Sequence, residues 1–421
     1  MSGINENFHL KDLGYSNADS TVETARHRWY FYKEGFSPHL VEQAIEISGI
    51  EKNDIILDLF NGSGTTTLTA AIKGYKSVGI EVNPFTSYLS SAKLKNANPK
   101  EFRKHKVGLI SAVEKSAKSN LIGFSTFSKS EGLNKWLFND EVLNAFEGGW
   151  KHTSEISSYN IRKLFRLSLI TAAMQNCNAT RDGKCLRYRL SWKEYNFDKN
   201  SFLKSLSTKL DQMIEDIEQY PIPQTASIIN ADARKALYGA NQVGKFKLCV
   251  TSPPYLNTFD YTDIYRPELF LGKFISNRQE LYNLRLQTVR SHVQAKWTLP
   301  TMNDFGLLYN EALSQIKDNQ ENLMHKNIPV MIQAYFEDMF NLLKLLRSKA
   351  DKNASIWLVV SNSAYADIEV PVDLILGDIG SKAGWYLKEI GVLRYLKKRK
   401  TKYSSNITQL RESVIFFSTS K

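Results

Sequence analysis

Residues 54–84 restrict the possible folds of this chain more than any other stretch. DIILDLF (54–60) is a short apolar run of strand length. It is followed by the turn NGSGTTT, by LTAAIKGY, which begins a helix, and by KSVGIEVNP (76–84), a second strand that ends in turn residues. A strand, a glycine-rich turn, a helix and a second strand form the opening unit of a doubly wound α/β sheet.

The turn after the first strand indicates a ligand site. Gly62 and Gly64 allow the backbone to approach a ligand closely, and the helix that follows offers free N–H groups. The turn is not GxGxxG, because Thr67 stands at the third glycine position, and it lacks the Lys of a P-loop. Glu81 ends the next strand, where an acid can accept both hydroxyls of a ribose. The pattern predicts an adenosine-type cofactor; the alternative is a purely structural glycine turn.

A second motif, Thr251-Ser252-Pro253-Pro254-Tyr255, directly follows the apolar strand KLCV (247–250). The two prolines end the strand and present backbone carbonyls without competing N–H groups. Ser252 adds a hydroxyl and Tyr255 adds an aromatic face. These groups suit a flat ligand that carries an amino substituent; the alternative is a simple strand-terminating turn.

Composition narrows the class of partner. The 421 residues include 55 Lys plus Arg against 43 Asp plus Glu, and this net charge of +12 favours nucleic acid over a membrane. The alternative is a basic surface that serves solubility alone. Three cysteines without a CxxC pair exclude a disulfide framework and a Cys-rich zinc site, and they fit a reducing cytoplasm. With no HExxH pair, no membrane-length apolar run and no secretory signal, we expect neither a metal nor a membrane partner.

The two motifs together resemble those of the amino-group DNA methyltransferases that use S-adenosylmethionine. Ser252, the residue before the two prolines of the second motif, resembles the residue found there in the cytosine-N4 subgroup. An Asp or Asn at this position marks adenine-N6 enzymes. The resemblance extends to residues 26–38, a cofactor-lid segment, and to residues 230–234, 361–363 and 411–417. The cofactor half precedes the catalytic half, which differs from the permuted order common among cytosine-N4 enzymes.

The resemblance implies S-adenosylmethionine as the cofactor and double-stranded DNA as the substrate, with a cytosine flipped out of the helix. Ser252 and the Pro253 carbonyl would accept the N–H groups of the amine while Tyr255 stacks on the base, so the implied catalytic residues are Ser252, Pro253, Pro254 and Tyr255. The implied cofactor-binding residues are Tyr32, Phe36, Ser37, Asp58, Phe60, Asn61, Gly62, Gly64, Glu81, Asn83, Asp232 and Ala233. None of the three cysteines follows a proline, which excludes the cysteine-nucleophile route of carbon-5 cytosine methylation.

The expected fold is α/β, a three-layer Rossmann-like methyltransferase sheet with an antiparallel late strand near 411–418, plus a helical insertion. Residues 1–26 are expected as an N-terminal surface arm or a partly disordered leader, and residues 27–95 as the cofactor-binding half. Residues 96–225 form the insertion, with helices near 100–118, 154–178 and 201–219. Residues 226–421 form the catalytic half, in which 260–325 is the expected target-recognition segment.

Basic residues in three segments are candidates for DNA contact, although Arg266 is equally a candidate for scaffolding of the catalytic site. They are Arg187, Arg189, Arg266, Lys397, Lys398, Arg399, Lys400 and Lys402. Restriction–modification, with a separately encoded cognate endonuclease and a bacterial or archaeal cytoplasmic location, is what the resemblance implies. Adenine-N6 methylation, RNA methylation and a catalytically silent DNA-binding module remain open as alternatives.

Overall fold

A single large mixed sheet forms the centre of the computed structural model, which describes residues 3–181, 185–238, 243–397, 403 and 406–421. Its strands and those of two small hairpins are β1 Ile4–Asn5, β2 Ile55–Asp58, β3 Lys76–Glu81, β4 Ala179–Arg181, β5 Leu186–Tyr188, β6 Ala226–Asn230, β7 Phe246–Thr251, β8 Ala350–Ser361, β9 Ser363–Tyr365, β10 Ile368–Val370, β11 Tyr386–Lys397 and β12 Gln409–Ser418.

The strand order in the large sheet is β1-β11-β12-β8-β7-β2-β3-β6. β12 is antiparallel to both of its neighbours, β8 and β11, and the other neighbouring strands pair in parallel. The expected parallel sheet with an antiparallel late strand is therefore confirmed. Because β2 lies between β3 and β7, the carboxyl ends of these three strands meet at one edge.

Helices connect the strands and form the insertion. They are α1 Pro38–Ser48, α2 Thr65–Ile72, α3 Pro84–Lys93, α4 Pro99–Lys115, α5 Asp140–Thr153, α6 Tyr159–Gln175, α7 Lys199–Gln219, α8 Ala233–Ala236, α9 Tyr261–Ile264, α10 Arg266–Leu271, α11 Arg278–Arg285, α12 Leu307–Asp318, α13 Ile328–Lys349 and α14 Val372–Lys382.

Helices cover both faces of the sheet, which gives the three layers expected of this fold. Successive residues of a strand point to opposite faces, and Ile56 packs with Leu40 of α1 whereas Leu57 packs in the cluster that contains α13 and α14. Leu248 and Cys249 of β7 divide between the same two clusters. Since β2 and β7 are thus buried on both faces, their sequences read as continuous apolar runs rather than as alternating ones.

The insertion is helical, as expected. α4, α6 and α7 match the helical patterns given as examples, and α5 is a further helix, whose apolar pattern is interrupted by Gly148 and Gly149. These glycines allow close helix packing: a Cβ on Gly148 would lie 2.5 Å from the Ala112 carbonyl oxygen of α4. The basic stretch between α6 and α7 contains the β4–β5 hairpin.

The expectation of a surface arm before residue 27 is wrong for residues 3–26. Ile4 and Asn5 pair with Ile390 and Gly391, so this segment adds an edge strand to the sheet. The Phe8 side chain occupies the space that a Cβ at Gly391 would need, 2.4 Å from Phe8 Cγ. The segment has few large apolar side chains, and two of them, Phe8 and Leu10, are buried by long-range contacts that its composition does not reveal.

Candidate active site

A cavity of about 600 Å³ opens at the carboxyl ends of β2, β3 and β7, within the range of about 300–1,000 Å³ typical of ligand sites. It brings together fourteen of the sixteen residues expected in the cofactor and catalytic sites: Tyr32, Phe36, Asp58, Phe60, Asn61, Gly62, Glu81, Asn83, Asp232, Ala233, Ser252, Pro253, Pro254 and Tyr255. The other two, Ser37 and Gly64, are N-caps, of α1 and α2 respectively. The two sequence motifs therefore face one cavity.

The glycine turn is shaped by what packs around it. Gly62 and Gly64 have φ angles of 46° and 85°, in the left-handed region that favours glycine. A Cβ at Gly64 would lie 2.7 Å from the Cβ of Ser90 in α3, and one at Gly62 would lie 3.3 Å from the Tyr32 ring. Gly64 thus permits close packing of α2 on α3, and Gly62 permits the ring of Tyr32 to lie over the turn.

Glu81 lines the cavity, and its carboxylate binds two backbone N–H groups there. Its carboxylate accepts the backbone N–H of Gly62 at 2.7 Å and that of Asn83 at 2.8 Å. Burial nevertheless raises the pKa of Glu81 to about 7, because removal from water disfavours the charged form more than these hydrogen bonds favour it. Burial likewise raises the pKa of Asp58 to about 6. Both carboxyls therefore hold protons more tightly than exposed ones.

The side chains of the second motif are hydrogen-bonded to residues outside the motif. The Ser252 hydroxyl donates to the Val359 carbonyl at 3.1 Å, so the lone pairs of Oγ remain available as acceptors. The Tyr255 hydroxyl donates to Glu412 at 2.8 Å. Burial raises the pKa of Tyr255 well above its ordinary value, which keeps the phenol protonated.

Sequence reasoning missed an aromatic wall on the cofactor side. The Tyr265 ring stacks on Tyr32 with centroids 5.1 Å apart, and its hydroxyl donates to Glu34. The guanidinium of Arg181, at the end of β4, lies 4.3 Å from the Tyr265 centroid and pairs with the buried carboxylate of Glu268. These residues come from three separate segments. The sequence signal for Tyr265 is its position in 260–325, the expected target-recognition segment.

The residues that are candidates for DNA contact lie in different environments. Lys397 lines the cavity, and Arg187 is exposed on β5. Arg189 donates to the Cys177 carbonyl at 2.8 Å and so ties two segments of the insertion together. Arg266, at the start of α10, donates to the Thr126 hydroxyl at 3.1 Å and so joins α10 to the insertion. The remaining candidates, Lys398, Arg399, Lys400 and Lys402, lie outside the described residues.

The cavity wall fits S-adenosylmethionine. Its ribose hydroxyls, adenine amine and ammonium group are donors, which match the carboxylates of Glu81 and Asp232, and its flat adenine matches the rings of Tyr32 and Phe60. Two buried atoms of residues that line the cavity, Glu34 Oε1 and Asn61 Nδ2, have no hydrogen-bond partner among the described residues. Within those residues no cluster of His, Cys, Asp and Glu suits a metal ion, and no helix is long and apolar enough to cross a bilayer.

Comparison with known proteins agrees with this geometry. A family model described as DNA methylase matches residues 4–92. The Type II methyltransferase M.BsoBI of Geobacillus stearothermophilus is 29% identical over 93% of this chain and 84% of its own length. M.AvaI of Nostoc sp. is 24% identical (87% and 80% covered), and M.MvaI of Kocuria varians is 22% identical (90% and 85% covered). The solved rRNA methyltransferase aviRa of Streptomyces viridochromogenes superposes with a TM-score of 0.31 at 10% identity, covering 97% of this chain and 93% of the aviRa chain.

Proposed function

Because this chain belongs to the amino-group DNA methyltransferase family, which includes adenine-N6 and cytosine-N4 enzymes, we propose that it methylates the N4 amine of cytosine in double-stranded DNA. The methyl donor is S-adenosylmethionine. The observation that carries the proposal is the presence of Ser252 to Tyr255 on the same cavity as Gly62 and Glu81. A Ser rather than an Asp or Asn at residue 252 favours cytosine over adenine.

The proposed chemistry depends on activation of a poor nucleophile. The lone pair of a cytosine amine is conjugated into the ring, and two acceptors that engage its N–H groups draw the nitrogen toward tetrahedral geometry. Ser252 Oγ can serve as one acceptor because its own proton is directed to the Val359 carbonyl, and the Pro253 carbonyl serves as the other. The cofactor, when bound, supplies an electrophilic methyl group on a positively charged sulfur. Alignment of the two reactants in one cavity supplies much of the remaining rate enhancement.

The target base must leave the duplex to reach this cavity. Residues of the proposed target-recognition segment also line the cavity, among them Tyr261, Thr288 and His292. Lys397 on the rim, together with the basic run that follows it, suits contact with the DNA phosphates. Since the relatives are named Type II methyltransferases, we place the enzyme in a restriction–modification system with a separately encoded endonuclease.

The decisive experiment identifies the methylated nucleoside. Binding of S-adenosylmethionine to the purified chain is measured by calorimetry. The chain is then incubated with deuterated S-adenosylmethionine and either duplex DNA or transfer RNA, and the digested nucleosides are identified by mass spectrometry. We expect labelled N4-methylcytosine, and Ser252→Ala serves as the control for contaminating activity. Labelled N6-methyladenine would replace the proposal with adenine methylation, and label in transfer RNA alone would replace it with RNA methylation. Failure to bind S-adenosylmethionine would identify a silent DNA-binding module.

A further inference from the structure

One wall of the cavity comes from the last two strands of the sheet and belongs to neither motif. Arg394, Leu396 and Lys397 of β11 and Glu412 of β12 contribute it. Arg394 and Glu412 are direct cross-strand partners near the carboxyl end of β11, at the edge of the sheet that carries Tyr255. A β-bulge between Val392 and Arg394 precedes this pair, and bulges redirect side chains beside functional sites.

Glu412 is the buried residue of this wall, and two polar side chains are hydrogen-bonded to it. Its side chain is only 2% exposed, and it accepts hydrogen bonds from the Arg394 Nε at 2.5 Å and from the Tyr255 hydroxyl at 2.8 Å. A buried carboxylate is tolerated only when it is paired and hydrogen-bonded. The two partners are therefore held at one carboxylate, which sets the position of the Arg394 guanidinium relative to the Tyr255 ring.

Arg394 retains unused hydrogen-bond donors. A guanidinium has five N–H groups in a rigid plane, and only Nε has a partner among the described residues. The side chain is 29% exposed and lines the cavity. An occupant with two adjacent acceptors would match this planar fork, which donates two parallel bonds.

Cytosine has such an edge. Its ring nitrogen N3 and carbonyl O2 are adjacent acceptors beside the exocyclic amine, whereas the corresponding edge of adenine has only the N1 acceptor, followed by a C–H group. We infer that Arg394 donates hydrogen bonds to N3 and O2 of the flipped cytosine, with Glu412 as the positioning residue that fixes Arg394 and Tyr255 together. This inference rests on the proposed cytosine-N4 activity and identifies the residue that distinguishes the two bases.

The test compares variants on two substrates that differ in one acceptor. The target cytosine of a duplex is left intact or replaced with 3-deazacytosine, in which a C–H group stands at position 3. On cytosine we expect Arg394→Met to lower kcat/KM about 10- to 100-fold, the usual discrimination by a two-bond contact. On 3-deazacytosine the same variant should lose markedly less relative to wild type, because one of the two bonds is already absent.

Lys397→Met is the matched control, since it removes one positive charge from the same strand and the same cavity wall. It should lower kcat/KM by the same factor on both substrates, as a phosphate contact does. Equal losses for Arg394→Met on both substrates would overturn the inference and assign Arg394 to the DNA backbone instead. If the product is N6-methyladenine, the proposed function fails as well; if N4-methylcytosine forms with equal losses, only the inference fails.

A second variant covers the case in which Arg394→Met does not fold because Glu412 is left buried without its cation. The double variant Arg394→Met/Glu412→Gln removes both charges and leaves an amide oxygen for the Tyr255 hydroxyl. We expect it to bind S-adenosylmethionine as the wild type does and to show the same unequal losses on the two substrates. Equal losses in this variant would overturn the inference in the same way.

Discussion

The carboxylate of Asp58 accepts a hydrogen bond of 2.7 Å from the hydroxyl of Thr251, and both side chains are almost completely buried. Asp58 ends β2 and opens the glycine turn, whereas Thr251 ends β7 and precedes Ser252. The same Asp58 oxygen accepts the Phe60 N–H at 3.0 Å. One carboxylate therefore joins the cofactor turn to the second motif.

Replacement of Thr251 with Val keeps its shape and removes this hydrogen bond. The free energy of unfolding, measured with urea, should fall by about 1–3 kcal/mol, because a buried carboxyl loses a partner. Thr225→Val, at an exposed position, is the control and should have little effect. Equal stability of the two variants would show that the Asp58–Thr251 contact contributes nothing.

Glu81 should make stability depend on pH. In the unliganded protein its pKa is about 7, raised from an ordinary value of 4.5. The unfolded chain therefore releases this proton first, and the free energy of unfolding should decline as pH rises between those two values. Glu81→Gln should remove that part of the decline in urea titrations across the same range. Parallel pH profiles for the variant and the wild type would contradict the raised pKa.

Glu81 should also contribute to cofactor affinity. Glu81→Ala removes a carboxylate acceptor proposed to bind ribose hydroxyls, and a charged hydrogen bond of about 1.5–3 kcal/mol corresponds to roughly 10- to 100-fold in Kd. Calorimetry with S-adenosylmethionine measures the change. Glu51→Ala makes the same charge change at an exposed position and should leave Kd as it is. Unchanged affinity in Glu81→Ala would remove this residue from the cofactor site.

Ser252→Ala should separate catalysis from cofactor binding. The variant loses one of two proposed acceptors for the amine, and kcat should fall on the order of 100-fold, as for removal of one preorganised group at a reacting centre. The Kd for S-adenosylmethionine should stay near the wild-type value. Ser227→Ala, on the exposed side of β6, is the control for the substitution itself. A normal kcat in Ser252→Ala would exclude the proposed role.

Arg181 should stabilise the junction between the insertion and the sheet domain. Its partner Glu268 has no exposed side-chain surface, so Arg181→Met should cost about 3–5 kcal/mol by leaving a buried charge unpaired. Addition of Glu268→Gln should recover most of that loss. The exposed pair Arg103–Glu218 supplies the comparison, since Arg103→Met should change the free energy of unfolding far less than Arg181→Met does. No recovery in the double variant would indicate that Arg181 acts through packing alone.

Local patterns were sufficient for the elements that carry the two motifs. The apolar runs of β2, β3 and β7, the glycines at 62 and 64 and the prolines at 253 and 254 each encode their conformation within a few residues. For that reason the strand–turn–helix–strand unit and the strand before Ser252 were predicted within a few residues of their observed bounds. Fourteen of the sixteen cofactor and catalytic residues that the resemblance implies line one cavity.

By itself the sequence determined the α/β class, the two motifs and the group of residues that face the cavity. Only the tertiary structure decided that β1 joins the sheet, that Tyr265 stacks on Tyr32, and that Arg394 and Glu412 meet Tyr255. The physical reason is the range of the interactions. Strand conformation and turns depend on neighbouring residues, whereas strand register, ring stacking and the pairing of buried charges depend on segments that come together only when the chain folds.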